Sequence, residues 1–230
     1  MSMSTPRSTD LPRPAGPADA SRVASRLAAL HAEARTELDH RDAFELLVAT
    51  VLSAQTTDVR VNQVTPELFS RWPDPAALAA ADEGAVTEVV RPLGMGATRA
   101  RRLIGLAQGL LARHGGEVPD DQAALEALPG VGRKTAHVVR GAWFGHSLLA
   151  VDTHVGRLAQ RLGWTTATTP RRVEEDVVAR VEADGTGAPE EDLTILGLRL
   201  ILHGRRVCTA RAPRCGQCAL VDLCPREGVA

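Results

Sequence analysis

Tyrosine is absent from this sequence of 230 residues, and phenylalanine and tryptophan occur only three times each. That scarcity argues against a module that grips single strands by stacking bases on many aromatic rings. No apolar run approaches the length needed to span a bilayer; the stretch Leu46 to Leu52 is too short. Neither sign of charge dominates. The net charge is −1, so bulk charge gives no support for a nucleic-acid partner. A secretion signal is also missing. Met1 to Ala20 is rich in Pro, Ser and Arg, lacks an apolar core, and reads as a disordered tail on a cytoplasmic protein. Lysine is nearly absent: Lys134 is the single lysine among 27 basic side chains.

What is present is ordinary for a soluble globular chain, with 44% apolar and 24% charged residues. The length allows one domain or two intimate ones. The basic residues are unevenly placed. Between Leu193 and Val221 there is no acid, but there are five arginines: Arg199, Arg205, Arg206, Arg211 and Arg214. The acidic runs Glu174-Glu175-Asp176 and Glu190-Glu191-Asp192 read as solvated helix faces.

Helical periods dominate. Ser21 to Leu30 opens a first helix, and Phe44, Leu47, Val48, Val51 and Leu52 form an apolar stripe at helical spacing. Asp120 suits the N-cap of a helix running to about Leu128, which Pro129-Gly130 ends. Another helix starts near Gly132 and reads through Trp143. Sustained period-two alternation is rare, so the chain is expected to be nearly all α. One internal echo is visible. Leu93-Gly94-Met95-Gly96-Ala97-Thr98-Arg99-Ala100 parallels Pro129-Gly130-Val131-Gly132-Arg133-Lys134-Thr135-Ala136, each between helical segments.

The second of these turns carries the lone lysine. Arginine matches lysine in holding charge and binding phosphate, but it does not lose its proton near neutral pH to attack carbon as an amine. A primary amine retained beside a Gly-x-Gly turn therefore points to covalent chemistry; the other reading is drift in an arginine-biased composition. Glycines permit a tight turn and close backbone approach. The helix that follows offers unpaired N–H groups and a positive dipole end to a phosphate, which also disfavours the ammonium form of a first-turn lysine. A plain αα-hairpin without a ligand is the bland alternative.

All four cysteines lie near the C-terminus: Cys208, Cys215, Cys218 and Cys224, spaced C-x6-C-x2-C-x5-C. Disulfides do not suit a cytoplasmic chain. Zinc accepts four thiolates, normally as two C-x2-C pairs, and only one is present. A [4Fe–4S] cluster also takes four cysteines. Spacing alone leaves both open.

Five stretches together resemble endonuclease III, the bifunctional DNA glycosylase of the helix-hairpin-helix superfamily. They are Leu-Pro-Gly-Val-Gly-Arg-Lys-Thr-Ala (128–136), Ala-Val-Asp-Thr-His-Val (150–155), Val-Leu-Ser-Ala-Gln-Thr-Thr-Asp (51–58), Ile-Leu-His-Gly-Arg (201–205) and the cysteine array. The resemblance covers roughly residues 21 to 226. It implies a [4Fe–4S] cluster on Cys208, Cys215, Cys218 and Cys224, with Lys134 as the nucleophile and Asp152 as the catalytic carboxylate. A helix N-cap is the structural alternative for Asp152. The implied reaction flips a damaged nucleotide out of the duplex, expels its base by attack of Lys134 on C1′, and cuts the strand by β-elimination.

The resemblance also makes Gln55 and Met95 wedges that fill the gap left by the flipped base. A polar helix face and core filling are their alternatives. Gly96 and Ala97 are smaller than the residues the family carries after the wedge. Gly130, Val131, Gly132, Arg133 and Thr135 would meet the DNA backbone in the hairpin, and Arg211 and Arg214 would do so in the cluster loop. His137, His154 and His203 read as packed or hydrogen-bonded, not as metal ligands.

The expected architecture is two helical lobes flanking a DNA-binding cleft. Residues 39–146 would form a six-helix barrel with both hairpins, and residues 21–38 with 147–230 the iron–sulfur lobe, so that Lys134 and Asp152 come from opposite lobes. The expected partner is damaged double-stranded DNA, bound by a monomer at the bacterial nucleoid, without a membrane. Oxidised pyrimidines are the expected lesions. Two other readings are weaker. An adenine-removing mismatch glycosylase would lack the hairpin lysine, and a non-enzymatic DNA-binding or electron-transfer protein would leave Lys134 and Val-Asp-Thr-His unexplained.

Overall fold

Aspartate begins most of the helices. Asp19, Asp42, Asp74, Asp82, Asp121, Asp152 and Asp192 each accept a first-turn backbone N–H with the side-chain carboxylate. Such caps satisfy an otherwise orphaned donor and complement the helix dipole. The computed structural model describes residues 13–184 and 192–229, and among them there are α-helices and short 3-10 turns but no strand. No helix among them is long and apolar enough to cross a membrane.

The chain divides into two units. Thr36–Leu148 forms one, and Met1–Arg35 with Leu149–Ala230 forms the other. The first unit contains α2 (Ala43–Leu52), α3 (Asp58–Arg71), α4 (Pro75–Ala79), α5 (Glu83–Val90), α6 (Gly96–His114), α7 (Gln122–Glu126) and α8 (Arg133–Ala142). The second contains α1 (Ala20–Leu30), α9 (Thr153–Arg161), α10 (Pro170–Ala183) and α11 (Leu193–Arg206).

In the first unit α2 is the central element. The sequence pattern describes a stripe, but every residue from Phe44 to Leu52 is buried. A helix that is apolar all round belongs inside a core. The one acid on it, Glu45, is 2% exposed and is paired by the Arg41 guanidinium at 2.8 Å. Around α2 lie Val61, Leu68, Val86, Leu103, Leu106, Leu110 and Val139. α4 and α5 pack on α6, and α8 packs on α2 and α7. In the second unit α9 packs on α11, and α1 packs on α10 and α11, over Val23, Leu27, Val155, Leu158, Leu196 and Leu200.

Two expectations are corrected here. Residues 1–12 lie outside the described residues, but 13–20 are not a loose tail. The Ala18 N–H donates to the Leu162 carbonyl at 2.8 Å, and the Trp164 indole donates to the Ala18 carbonyl at 2.7 Å. Ala18 and Ala20 are buried. Proline has little conformational freedom to lose, so a Pro-rich segment docks cheaply once its main chain finds partners. The second correction is one of register. Asp121, not Asp120, caps α7, and that helix stops at Glu126. Asp120 instead binds His146 at 2.7 Å and Arg140 at 3.2 Å, and the His146 hydrogen bond holds its carboxyl below the usual range. Of the two acidic runs, Glu174-Glu175-Asp176 lies on α10. Glu190 and Glu191 lie outside the described residues.

Candidate active site

Both Gly-apolar-Gly turns lie in the first unit, before α6 and before α8. Their backbones agree at the first glycine, with φ of +77° at Gly94 and +83° at Gly130. They agree again at Ala100 and Ala136, which are fully buried. Between the glycines they diverge. Val131 is buried and anchors its turn, whereas Met95 adopts a left-handed φ of 51° and is 55% exposed.

The glycines of the second turn differ in what requires them. At Gly130 a Cβ would meet Val51 Cγ1 at 3.3 Å and Arg102 Cδ at 3.4 Å, at a positive φ that L side chains resist. At Gly132, with φ of −112°, a Cβ would meet nothing within 4 Å. Gly130→Ala should therefore cost about 1–2 kcal/mol of stability. Gly132→Ala should cost much less, because a stiffer unfolded chain offsets the poorer N-cap. Thermal unfolding of both variants checks this; equal losses would contradict it.

Unlike most helices of this chain, α6 and α8 begin without a side-chain cap. Neither N-cap residue, Met95 nor Gly132, offers a side-chain bond to the first turn, and an uncapped helix start is the arrangement that can accept an anion. Arg133 and Lys134 are the first residues of α8 and are exposed; Thr135 is half-buried. Gln55 lies in the loop after α2, exposed, with φ of +62°. Gln55 and Met95 are thus both non-glycine residues held left-handed, at a cost of about 1–2 kcal/mol each. Backbone strain of this kind gathers where function requires it.

In the second unit Asp152 caps α9. Its Oδ1 accepts from the His154 N–H at 2.8 Å and the Val155 N–H at 2.9 Å. Among the described residues Oδ2 takes no such bond.

The four cysteines line one pocket, together with Arg161, Arg226 and apolar residues such as Val207 and Val221. No three His, Cys, Asp or Glu side chains among the described residues close around a single ion. Four thiols lining one pocket are a donor set that a [4Fe–4S] cluster takes. Burial pushes the Cys218 and Cys224 thiols up to about 11 and raises Cys215 as well. Free thiols would stay neutral here, and bound iron would supply the charge that deprotonates them. Donors already point at sulfur: Arg161 Nη1 reaches Cys208 Sγ at 3.2 Å, and the Leu220 N–H reaches Cys218 Sγ at 3.4 Å. His203 Nε2 lies 3.3 Å from Cys218 Sγ. Burial, and then His31, pushes that imidazole down to about 4, so it is neutral.

Arg211 and Arg214 are exposed on the loop between Cys208 and Cys215. Two arginines of α9, which sequence reasoning missed, shape that loop. Arg161 donates to the Thr209 carbonyl at 2.8 Å and the Ala210 carbonyl at 2.9 Å, and Arg157 donates to Cys208 and Gly204. His137 and His203 are buried, and His154 Nδ1 lies 3.1 Å from Arg157 Nη2, which fits their reading as packed or hydrogen-bonded.

Residues 48–183 match the family model of the HhH-GPD superfamily base excision DNA repair proteins. Residues 208–224 match that of the iron-sulfur binding domain of endonuclease III. Endonuclease III of Synechocystis sp. is 45% identical over 199 residues, covering 85% of this chain and 87% of the relative. A solved non-covalent endonuclease III–DNA complex superposes with a TM-score of 0.81 at 38% identity, covering 89% of this chain and 92% of that one. A trapped endonuclease III–DNA covalent intermediate gives 0.81 at 37% identity, covering 89% and 95%.

Proposed function

The chain belongs to the endonuclease III family of HhH-GPD base excision DNA repair proteins, and on that premise we propose how its residues divide the work. It is a DNA glycosylase with AP lyase activity that removes oxidised pyrimidines, and it carries a [4Fe–4S] cluster. The observation that carries the residue assignment is the single lysine of the chain, Lys134, exposed in the first turn of an uncapped helix behind the Gly130–Gly132 turn.

Lys134 acts as a neutral amine. Its nitrogen attacks C1′, and the electron pair of the C1′–N bond leaves with the base. The nitrogen then loses a proton as the sugar ring opens to a Schiff base. Loss of the C2′ proton expels the 3′ phosphate by β-elimination. Asp152 stabilises positive charge developing on the sugar, or takes the proton of the amine. Gly130, Val131, Gly132, Arg133 and Thr135 bring the start of α8 to a phosphate, with Gly132 leaving room for the approaching backbone. Gln55 and Met95 fill the gap left by the flipped nucleotide.

Cys208, Cys215, Cys218 and Cys224 hold the cluster, which fixes the loop carrying Arg211 and Arg214 toward DNA phosphates. The protein works as a monomer on damaged duplex DNA at the nucleoid. A duplex with one thymine glycol tests the reaction. The expected products are the free base, a 5′-phosphate end and an unsaturated aldehyde at the 3′ end. An intact strand bearing only an abasic site would overturn the lyase assignment, and an untouched lesion the substrate assignment.

A further inference from the structure

The two loops that carry Gln55 and Met95 converge on one buried side chain, Arg99. This residue is in the first turn of α6 and is only 4% exposed. Its Nε donates to the Gly94 carbonyl at 2.8 Å, and its Nη1 to the Leu52 carbonyl at 2.6 Å. Its Nη2 donates to the Ala54 carbonyl at 2.8 Å and, at 3.4 Å, to Leu93. Ala54 and Gly94 are the residues directly before Gln55 and Met95. The carbonyls that Arg99 grips therefore belong to the two peptide planes from which the left-handed turns at Gln55 and Met95 depart. Of the non-glycine residues with positive φ among the described ones, these two are the pair in the first unit; the third, Arg226, is in the other unit.

A guanidinium is a planar fork with fixed donor directions. One rigid group thus sets the orientation of both peptide planes at once. Burying a cation is costly unless its donors are satisfied, so neither loop can shift without stranding Arg99. Neither loop needs this link for its own helix. α2 is already closed by the Ser53 N–H to the Ala49 carbonyl, and α6 by the Arg99 N–H to the Met95 carbonyl.

We propose that Arg99 is a positioning residue that couples Gln55 and Met95 into one rigid, two-pronged wedge for opening the duplex. The proposal rests on the wedge reading of those two residues. Arg99 touches neither the sugar nor the leaving base, so its loss should impair extrusion of the nucleotide and spare the chemistry of Lys134.

The test uses a duplex with 2-aminopurine beside a thymine glycol, whose fluorescence rises on unstacking, and compares Gln55→Ala, Met95→Ala, their double variant and Arg99→Met. Arg99→Met should lower both the fluorescence rise and base removal about tenfold, to the level of the double variant. Cleavage of a single-stranded abasic oligonucleotide should keep the rate of the unaltered protein. The effects of Gln55→Ala and Met95→Ala should be non-additive, as for groups that act as a unit. If neither single variant nor the double changes unstacking, the wedge reading itself fails. If they do and Arg99→Met behaves like the parent, the wedge stands and the coupling is overturned. Equal loss on duplex and single strand would reduce Arg99 to a fold determinant and also overturn it. Should Arg99→Met not fold, additivity decides: independent effects of the two wedges overturn the proposal, and coupled effects support it.

Discussion

Lys134→Gln should abolish covalent trapping of the protein on DNA by borohydride. Reduction converts a Schiff base to a stable amine, so an adduct forms only where a primary amine has attacked C1′. The chain offers one lysine, and the α-amino group is the only other primary amine. The trapped band therefore reports on a single side chain. Glutamine keeps similar length and helix propensity but supplies no nucleophile. Lys134 is exposed, so the substitution leaves no buried group unsatisfied and the fold should be unaffected. Base removal should fall by about 10,000-fold or more, the scale on which loss of a nucleophile acts. DNA affinity should fall only modestly, because one surface charge is lost. Measuring trapping, single-turnover base release and duplex binding on the same preparation separates these effects. A persistent adduct in the variant would move the nucleophile elsewhere.

The parts of this site that were legible in the sequence are those whose geometry is local. The Gly130-Val131-Gly132 turn, the cap at Asp152 and the cysteine spacing each lie within a few residues, so residue type and interval imply the backbone. The parts that were not legible depend on partners far away in the chain. Arg99 meets Leu52 and Ala54 from 45 residues or more away, and Arg161 meets Thr209 across 48. Nothing in the local pattern marks either arginine among 26. The echo between the two hairpins shows the same limit. Its glycines and alanines repeat, yet Val131 turns inward and Met95 outward. A hydrophobic symbol at the same place does not say which side the core is on. The Asp120–Asp121 pair shows the limit at the scale of one residue. Either aspartate suits a cap, and the contacts of Asp120 with Arg140 and His146, 20 and 26 residues on, decide which is free to serve. Composition does not show that the segment 13–20 is ordered, because its ordering comes from Leu162 and Trp164.

Asp152→Asn should separate the two roles that one carboxylate holds. Asp152 caps α9 through Oδ1 alone, which accepts both first-turn N–H groups. Asparagine is as good an N-cap as aspartate, and its carbonyl oxygen can keep those bonds. The amide nitrogen then takes the place of Oδ2. Stability should fall by only about 0.3–1 kcal/mol, the share owed to a negative charge at a helix start. Catalysis loses more. An amide neither stabilises a cationic sugar nor accepts a proton from an amine, so base release from thymine glycol should drop about 100- to 1,000-fold. The division of that loss identifies what the carboxylate does. If its task is to stabilise the sugar as the base departs, cleavage at a preformed abasic site, where no base departs, should be much less affected than base release. If its task is to deprotonate Lys134, both should fall together, since the amine must be neutral in either reaction. A variant that unfolds cooperatively at the parent's temperature yet retains full base release would make Asp152 a cap and nothing more, and would place the charge that favours the departing base on another residue.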